Sequence, residues 1–115
     1  ALRPCSRRRR RRWAAHSMAA DNLLSPLPDA SAAETFTPLL DRPGARIERI
    51  VSAGQTTPED APYDQPHDEW VLLLAGETAL VPGDALLIPA NVKHRVTWTQ
   101  AEPPTVWLAV HFSEA

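Results

Sequence analysis

The stretch Pro82-Gly83-Asp84-Ala85-Leu86-Leu87-Ile88-Pro89 decides how this chain is read. Four apolar residues, Ala85 to Ile88, stand between a Pro-Gly-Asp turn and a second proline. A run so short and so bounded reads as a strand rather than a helix. Downstream of Pro89 comes His94; upstream, Glu69 is followed after six intervening residues by Gly76. Working outward, Arg46 to Ala53 alternates well enough to be a strand. Trp70 to Ala75, Ala79 to Val81, His94 to Thr99 and Thr105 to Phe112 are each short, rich in Val, Leu, Ile and Trp, and bounded by Gly, Pro or Asn. Many short strands, with no ten-residue amphipathic helix among them and no internal repeat, predict an all-β sandwich or barrel.

The region before the first strand is different. Residues 22–30 hold two prolines and read as an extended arm. Ser31 stands three residues before Glu34, a capping-box spacing, so Ala32 to Leu40 is expected to form a short N-terminal helix that Pro38 limits to a turn or two. Asp41-Arg42-Pro43-Gly44 is turn chemistry. The chain therefore divides into an Arg-rich leader (1–17), an arm with its short helix (18–45) and a β domain (46–115).

Charge sharpens that division. The 115 residues carry a formal net charge of -2 and are 43% hydrophobic, enough for one compact domain. Seven arginines and no acid precede Met18, whereas five basic residues meet all 14 acids after it, giving +7 and -9. The leader reads as disordered sequence upstream of a natural start at Met18. No nucleic-acid partner is expected, because the acidic body offers no basic face or aromatic platform to extend the contact. The longest apolar run, Val71 to Ala75, is far below the roughly 18 residues of a membrane span. One cysteine, Cys5, leaves the body without a disulfide framework or thiolate metal site, which fits a reducing cytoplasm.

Glu69 with Gly76, then Pro82 to Pro89 with His94, resembles the two motifs of the cupin superfamily. Arg46 to Ser52, Tyr63-Asp64-Gln65, Asp68 to Leu74 and Thr105 to Phe112 are similar to a group of small single-domain bacterial cupins of unassigned activity. The resemblance runs from about Asn22 to Phe112. It implies a double-sheet jelly-roll barrel whose interior often holds one metal ion, bound by two histidines and a glutamate from the first motif and a histidine from the second. Glu69 and His94 take two of these positions; the other two fall on Tyr63 and Gln65.

A site built from Gln65, Glu69, His94 and His111 is thus expected to take one divalent transition metal (Fe, Mn, Ni or Zn) or a small polar ligand, with affinity for metal reduced by the missing imidazoles. His67 ranks after these four, because Pro66-His67-Asp68 fits the turn that brings Gln65 to Glu69. His111 shares a strand face with Trp107 and Ala109 and is a further ligand or a proton carrier if that face is the inner one. Tyr63 and Trp98 are expected to contact a small-molecule ligand. If the protein is an enzyme, Glu69 would be an anionic ligand or general base, His94 a ligand or acid-base group and Tyr63 an orienting donor. The competing reading is a metal-free ligand-binding or structural cupin without catalysis.

One further departure is length. Only Glu77 to Pro82 separates Gly76 from Gly83, about one hairpin less than the family usually places there. Either the barrel is more open, or a partner subunit covers the gap in a homodimer.

Overall fold

A computed structural model describes residues 19–113; the Arg-rich leader lies outside them. Five strands, β1 (Thr35–Arg42), β2 (Ala45–Ser52), β3 (Glu69–Ala75), β4 (Ala85–Ile88) and β5 (Thr105–Phe112), form one antiparallel sheet in the order β1-β2-β5-β3-β4. β5 lies at its centre, paired with β2 from Ala45↔Phe112 to Ser52↔Thr105 and with β3 from Glu69↔His111 to Ala75↔Val106. The segments around Thr57 to Gln65 and Asn91 to Gln100 face this sheet. They are joined to each other by Thr57 N–H to Val96 O (2.8 Å), a reciprocal Tyr63–His94 pair (2.9 Å each way) and Asn91 N–H to Gln65 O (2.6 Å). This is the all-β architecture that the sequence predicts and the jelly roll that the resemblance implies, with its second layer reduced to extended chain and one isolated bridge.

The short helix does not form. Residues 35–42 are strand β1, which is paired with β2 from Thr35↔Val51 to Arg42↔Ala45. Among the described residues there is no helix, and none long and apolar enough to cross a membrane. The local sequence explains why the ladder wins. Thr35, Phe36 and Thr37 favour a pleated surface, and Pro38 is tolerated because β1 is an edge strand with a register shift between Pro38 and Leu40. Glu34 does not close a capping box; its Oε2 accepts a hydrogen bond from Ser52 Oγ (2.5 Å). β1 and β2 form a hairpin in which Pro43 and Gly44 make the two-residue turn, with Gly44 at φ 87°.

Two predicted strands, Ala79 to Val81 and His94 to Thr99, are not regular strands. They run as connecting chain held by Gln100 N–H to Glu77 O (2.8 Å) and Thr78 Oγ1–H to Trp98 O (2.5 Å). The shortened connection shows directly: β3 turns into β4 through residues 76–84, closed by Gly83 N–H to Leu73 O (2.8 Å) and Leu73 N–H to Asp84 O (3.0 Å). β4 is left as a four-residue edge strand with Leu86 and Leu87 47% and 54% exposed.

Alternation gives the sheet two unlike faces. On one, Leu73 and Ala109 are fully buried, and Glu69, Val71, Trp107 and His111 nearly so. On the other, Val51 and Val106 are sealed by Ala30 and Leu27 of the N-terminal arm, together with Leu74. The arm is fastened by Arg49, whose Nη1 donates to Leu23 O (3.3 Å).

Candidate functional site

Between the sheet and the facing segments lies a cavity of about 400 Å³. The sheet contributes Arg46, Glu48 and Ile50 from β2, Glu69 and Val71 from β3, and Trp107 and His111 from β5. These are alternate residues, so they project to one side. The register sets them in rows. Arg46, His111 and Glu69 are cross-strand neighbours, and Glu48, Ala109 and Val71 form the next row. Tyr63, Gln65, Thr78 and His94 close the opposite wall.

Three carboxylates line this cavity, and each has one close side-chain hydrogen-bond partner, with His111 Nε2 also 3.9 Å from Glu69 Oε2. Glu69, 7% exposed, accepts a hydrogen bond at Oε1 from Gln65 Nε2 (2.7 Å), across the turn at Pro66-His67. Glu48 Oε1 lies 2.8 Å from His111 Nε2. Glu34 is held by Ser52 Oγ, which in turn accepts from Trp107 Nε1 (3.2 Å). Each anchor leaves further acceptor capacity on its carboxylate.

The histidines are fixed in the same way. The Val92 carbonyl can only accept, so His94 Nδ1, 2.9 Å away, carries the proton, and a neutral His94 presents Nε2 as an acceptor. Glu48 likewise makes His111 Nε2 a donor. A neutral His111 then accepts at Nδ1 from His67 Nε2, 3.0 Å away, with the rings edge to face at 5.1 Å. His67 thus stands in the turn that the sequence indicates, but its ring packs on His111 and does not line the cavity.

Tyr63 stacks on His94 with ring centroids 5.5 Å apart. Its phenol is pushed above the usual value near 10, first by partial burial and then by the charges of Glu34 and Glu69. Tyr63 therefore stays a donor at neutral pH. Because the protonated phenol is favoured in the folded state, its contribution to stability is present below pH 10 and is lost as pH rises through the folded pKa. Tyr63 is the only tyrosine in the chain, so an absorbance titration of the phenolate reads it alone. We expect a midpoint above that of the unfolded chain, falling in Glu34→Gln; equal midpoints would contradict this arrangement.

The structure brings Gln65, Glu69, His94, His111 and Tyr63 into the lining of one cavity, on its two walls, but not to one point. Among the described residues, no three His, Cys, Asp or Glu side chains are grouped so as to hold a metal ion. Both ring nitrogens of His111 face protein partners, and the Gln65 amide turns its nitrogen to Glu69. As arranged, these donors do not fit the four-ligand transition-metal centre that the resemblance implies. Trp98 is also displaced from its expected role. It is 49% exposed and outside the cavity lining, and Trp107 is the indole that forms the wall. Glu48, Glu34 and Arg46 belong to the site without having been singled out. The alternation of β2 pairs Arg46 with Glu48, but only the sheet order shows which face is inner.

No family model matches the chain, and no curated protein matches it. Solved structures do. A protein of Ralstonia eutropha JMP134, provisionally named a mannose-6-phosphate isomerase, is 43% identical, with a TM-score of 0.76 over 85% of this chain and 100% of its own. An RmlC-like cupin protein of Desulfovibrio desulfuricans has a TM-score of 0.66 at 17% identity, over 83% and 96% of the two chains. A cupin superfamily protein of Desulfitobacterium hafniense DCB-2 has a TM-score of 0.59 at 17% identity, over 84% and 100%.

Proposed function

The chain belongs to the cupin superfamily, and on that premise we propose that its cavity binds a small polyhydroxylated ligand of monosaccharide size through hydrogen bonds, without a metal ion. The carrying observation is the set of three anchored carboxylates, Glu34, Glu48 and Glu69, spread around a cavity of about 400 Å³. That volume lies within the range of small-molecule sites. Carboxylates held by one partner accept from hydroxyl groups without reorganising, and Trp107, Ile50 and Val71 supply the apolar surface against which the C–H face of a sugar ring packs. Tyr63 adds a donor, and Arg46 and Arg95 line the same space. The guanidiniums favour a ligand that also carries an anionic group. The provisional name of the 43% identical Ralstonia protein specifies a hydroxylated, anionic sugar, which supports this choice of class.

The test is thermal unfolding of the full chain with mannose 6-phosphate, mannose or inorganic phosphate, because a ligand of the native state raises the unfolding temperature. We expect mannose 6-phosphate to stabilise most, and Glu69→Gln, which keeps the shape of the carboxylate but not its charge, to lose at least tenfold in affinity. Fe, Mn, Ni or Zn salts should leave the midpoint unchanged. Stabilisation by a metal that disappears in His94→Ala would refute the metal-free reading. No response to any of the three organic or phosphate probes would refute the ligand class.

A further inference from the structure

The inner face of the sheet changes character from one edge to the other. Across the register, one row runs Arg46, His111, Glu69 and Ile88 from β2 to β4, and the next runs Glu48, Ala109, Val71 and Leu86. Both rows begin with a charged side chain on β2 and end with a branched aliphatic one on β4. Ala79 and Leu80, from the connection between β3 and β4, line the same cavity. Thr78, the one polar side chain that this connection and β4 bring to the lining, donates its hydroxyl proton to Trp98 O (2.5 Å).

This aliphatic strip is open. Leu86 lines the cavity and is still 47% exposed, so it forms a rim and not a floor. The short connection leaves it so, because among the described residues β4 pairs with β3 alone and no further strand lies beyond it. The rim is also fixed in shape. Asp84 N–H to Val81 O (2.9 Å) and Val81 N–H to Asp84 Oδ2 (3.0 Å) close the turn, and Leu80 O accepts from Thr78 N–H (3.0 Å). A preformed surface spares a ligand the cost of ordering it.

We propose that this rim is an aliphatic subsite of the cavity and that the ligand is an alkyl glycoside, its hydroxylated ring at Glu48 and Glu69 and its unbranched alkyl chain across Val71, Leu86, Ile88 and Leu80. This assignment rests on the polyhydroxylated ligand class proposed above and names the substituent that the ring carries. Continuity comes first: Glu69 is the register partner of Ile88, so a ring bonded to that carboxylate has the strip one strand spacing away, about 4.8 Å. Chemistry selects the chain. The strip offers no aromatic face on which a planar group would stack and no free polar partner, and burial of a polar group without one is costly. Extent agrees with both, since β4 is a single edge strand of four residues whose two inward side chains stand about 6.8 Å apart, the reach of a short chain.

Calorimetric titration of the full chain with methyl, butyl and hexyl α-D-mannopyranoside, beside mannose 6-phosphate and hexan-1-ol, tests this. A fully buried methylene raises affinity about fourfold; on a rim with one side in water about twofold is expected for each, so hexyl mannoside should bind roughly thirtyfold tighter than methyl mannoside. Leu86→Gln, similar in length but polar, should lower that ratio at least fivefold while its circular dichroism stays that of the parent. Leu87→Gln, on the opposite face of β4 and 54% exposed, should leave the ratio unchanged. Hexan-1-ol, the chain without the ring, should bind at least a hundredfold more weakly than hexyl mannoside. A ratio near one, or alkyl mannosides that do not bind where mannose 6-phosphate does, would overturn the subsite and leave the ligand class standing. A ratio lowered as much by Leu87→Gln as by Leu86→Gln would also overturn the subsite. If no mannoside and no mannose 6-phosphate binds, or if hexan-1-ol binds as tightly as hexyl mannoside, the ligand class falls and the subsite with it.

Discussion

Gly76→Ala is expected to destabilise the protein by about 3 kcal/mol. Gly76 has φ 78°, a left-handed conformation that costs an L residue roughly 1–2 kcal/mol. A Cβ there would lie 2.5 Å from Thr105 Cα, 2.7 Å from Pro104 O and 2.9 Å from Thr105 Oγ1. Two of these atoms are backbone, and Thr105 is fully buried, with its hydroxyl 2.9 Å from Gln100 O and 3.2 Å from Glu77 O. Neither neighbour can yield without moving the start of β5, so a steric cost of roughly 1–3 kcal/mol adds to the strain. Urea unfolding would measure the sum, and heating should show a drop on the order of 15 °C. Gly83→Ala is the informative comparison. It shares a positive φ, at 96°, but a Cβ there meets nothing within 4 Å, so only the strain of about 1–2 kcal/mol should appear. Equal losses at the two glycines would show that close approach to Thr105 does not matter.

Trp107→Ala should cost about the same, for a different reason, and should also abolish the proposed binding. Trp107 is 8% exposed at the centre of the sheet, and its indole N–H donates to Ser52 Oγ, which is fully buried. Truncation of a buried Trp costs about 3–5 kcal/mol. The lower end applies because one side of the ring faces a cavity that water can enter. The loss also leaves Ser52 with Glu34 as its sole side-chain partner and frees that carboxylate to shift. Trp107→Phe separates the two effects: it keeps most of the apolar wall and removes one hydrogen bond, for a loss of about 1 kcal/mol. Calorimetry and ligand titration of the two variants check this. A Trp107→Phe protein as unstable as Trp107→Ala would place the main contribution in the N–H, against the packing account.

Strand character was legible in some of the runs that are short, apolar and framed by turn residues, although Ala79 to Val81, framed in the same way, is connecting chain. Ala85 to Ile88 between Asp84 and Pro89 became β4 with the expected ends, and Thr105 to Phe112 became β5 unchanged. Residues 32–40 misled because Ser31 and Glu34 have a capping-box spacing, and local spacing carries no information about a ladder to residues 45–51. His94 to Thr99 has strand composition, but its partner segment near Thr57 to Tyr63 is interrupted by Pro58 and Pro62, so only scattered hydrogen bonds and one bridge form. At the site, the resemblance, not the spacing, implied that Gln65 and Glu69 meet across a turn, and they share a 2.7 Å hydrogen bond. Glu48 and Glu34 were not foreseen because each owes its place to a contact 63 or 18 residues away in sequence, with His111 and Ser52. Trp98 and Trp107 are indistinguishable as residue types, and only the register shows which of them faces inward.

The proposed site for a small hydroxylated ligand is the space between Trp107 and the three anchored carboxylates. The most direct measurement is a nitrogen–proton correlation spectrum of the labelled full chain during titration with mannose 6-phosphate, in which Trp107 Nε1–H reports from the cavity wall. Saturable shifts are expected for that indole signal and for the amides of Gln65, Glu69, His94 and His111, with Trp98 Nε1–H unmoved. A titration in which Trp107 stays still, or in which the shifts fall on Ile47, Val110 and Leu87 of the opposite face, would contradict it.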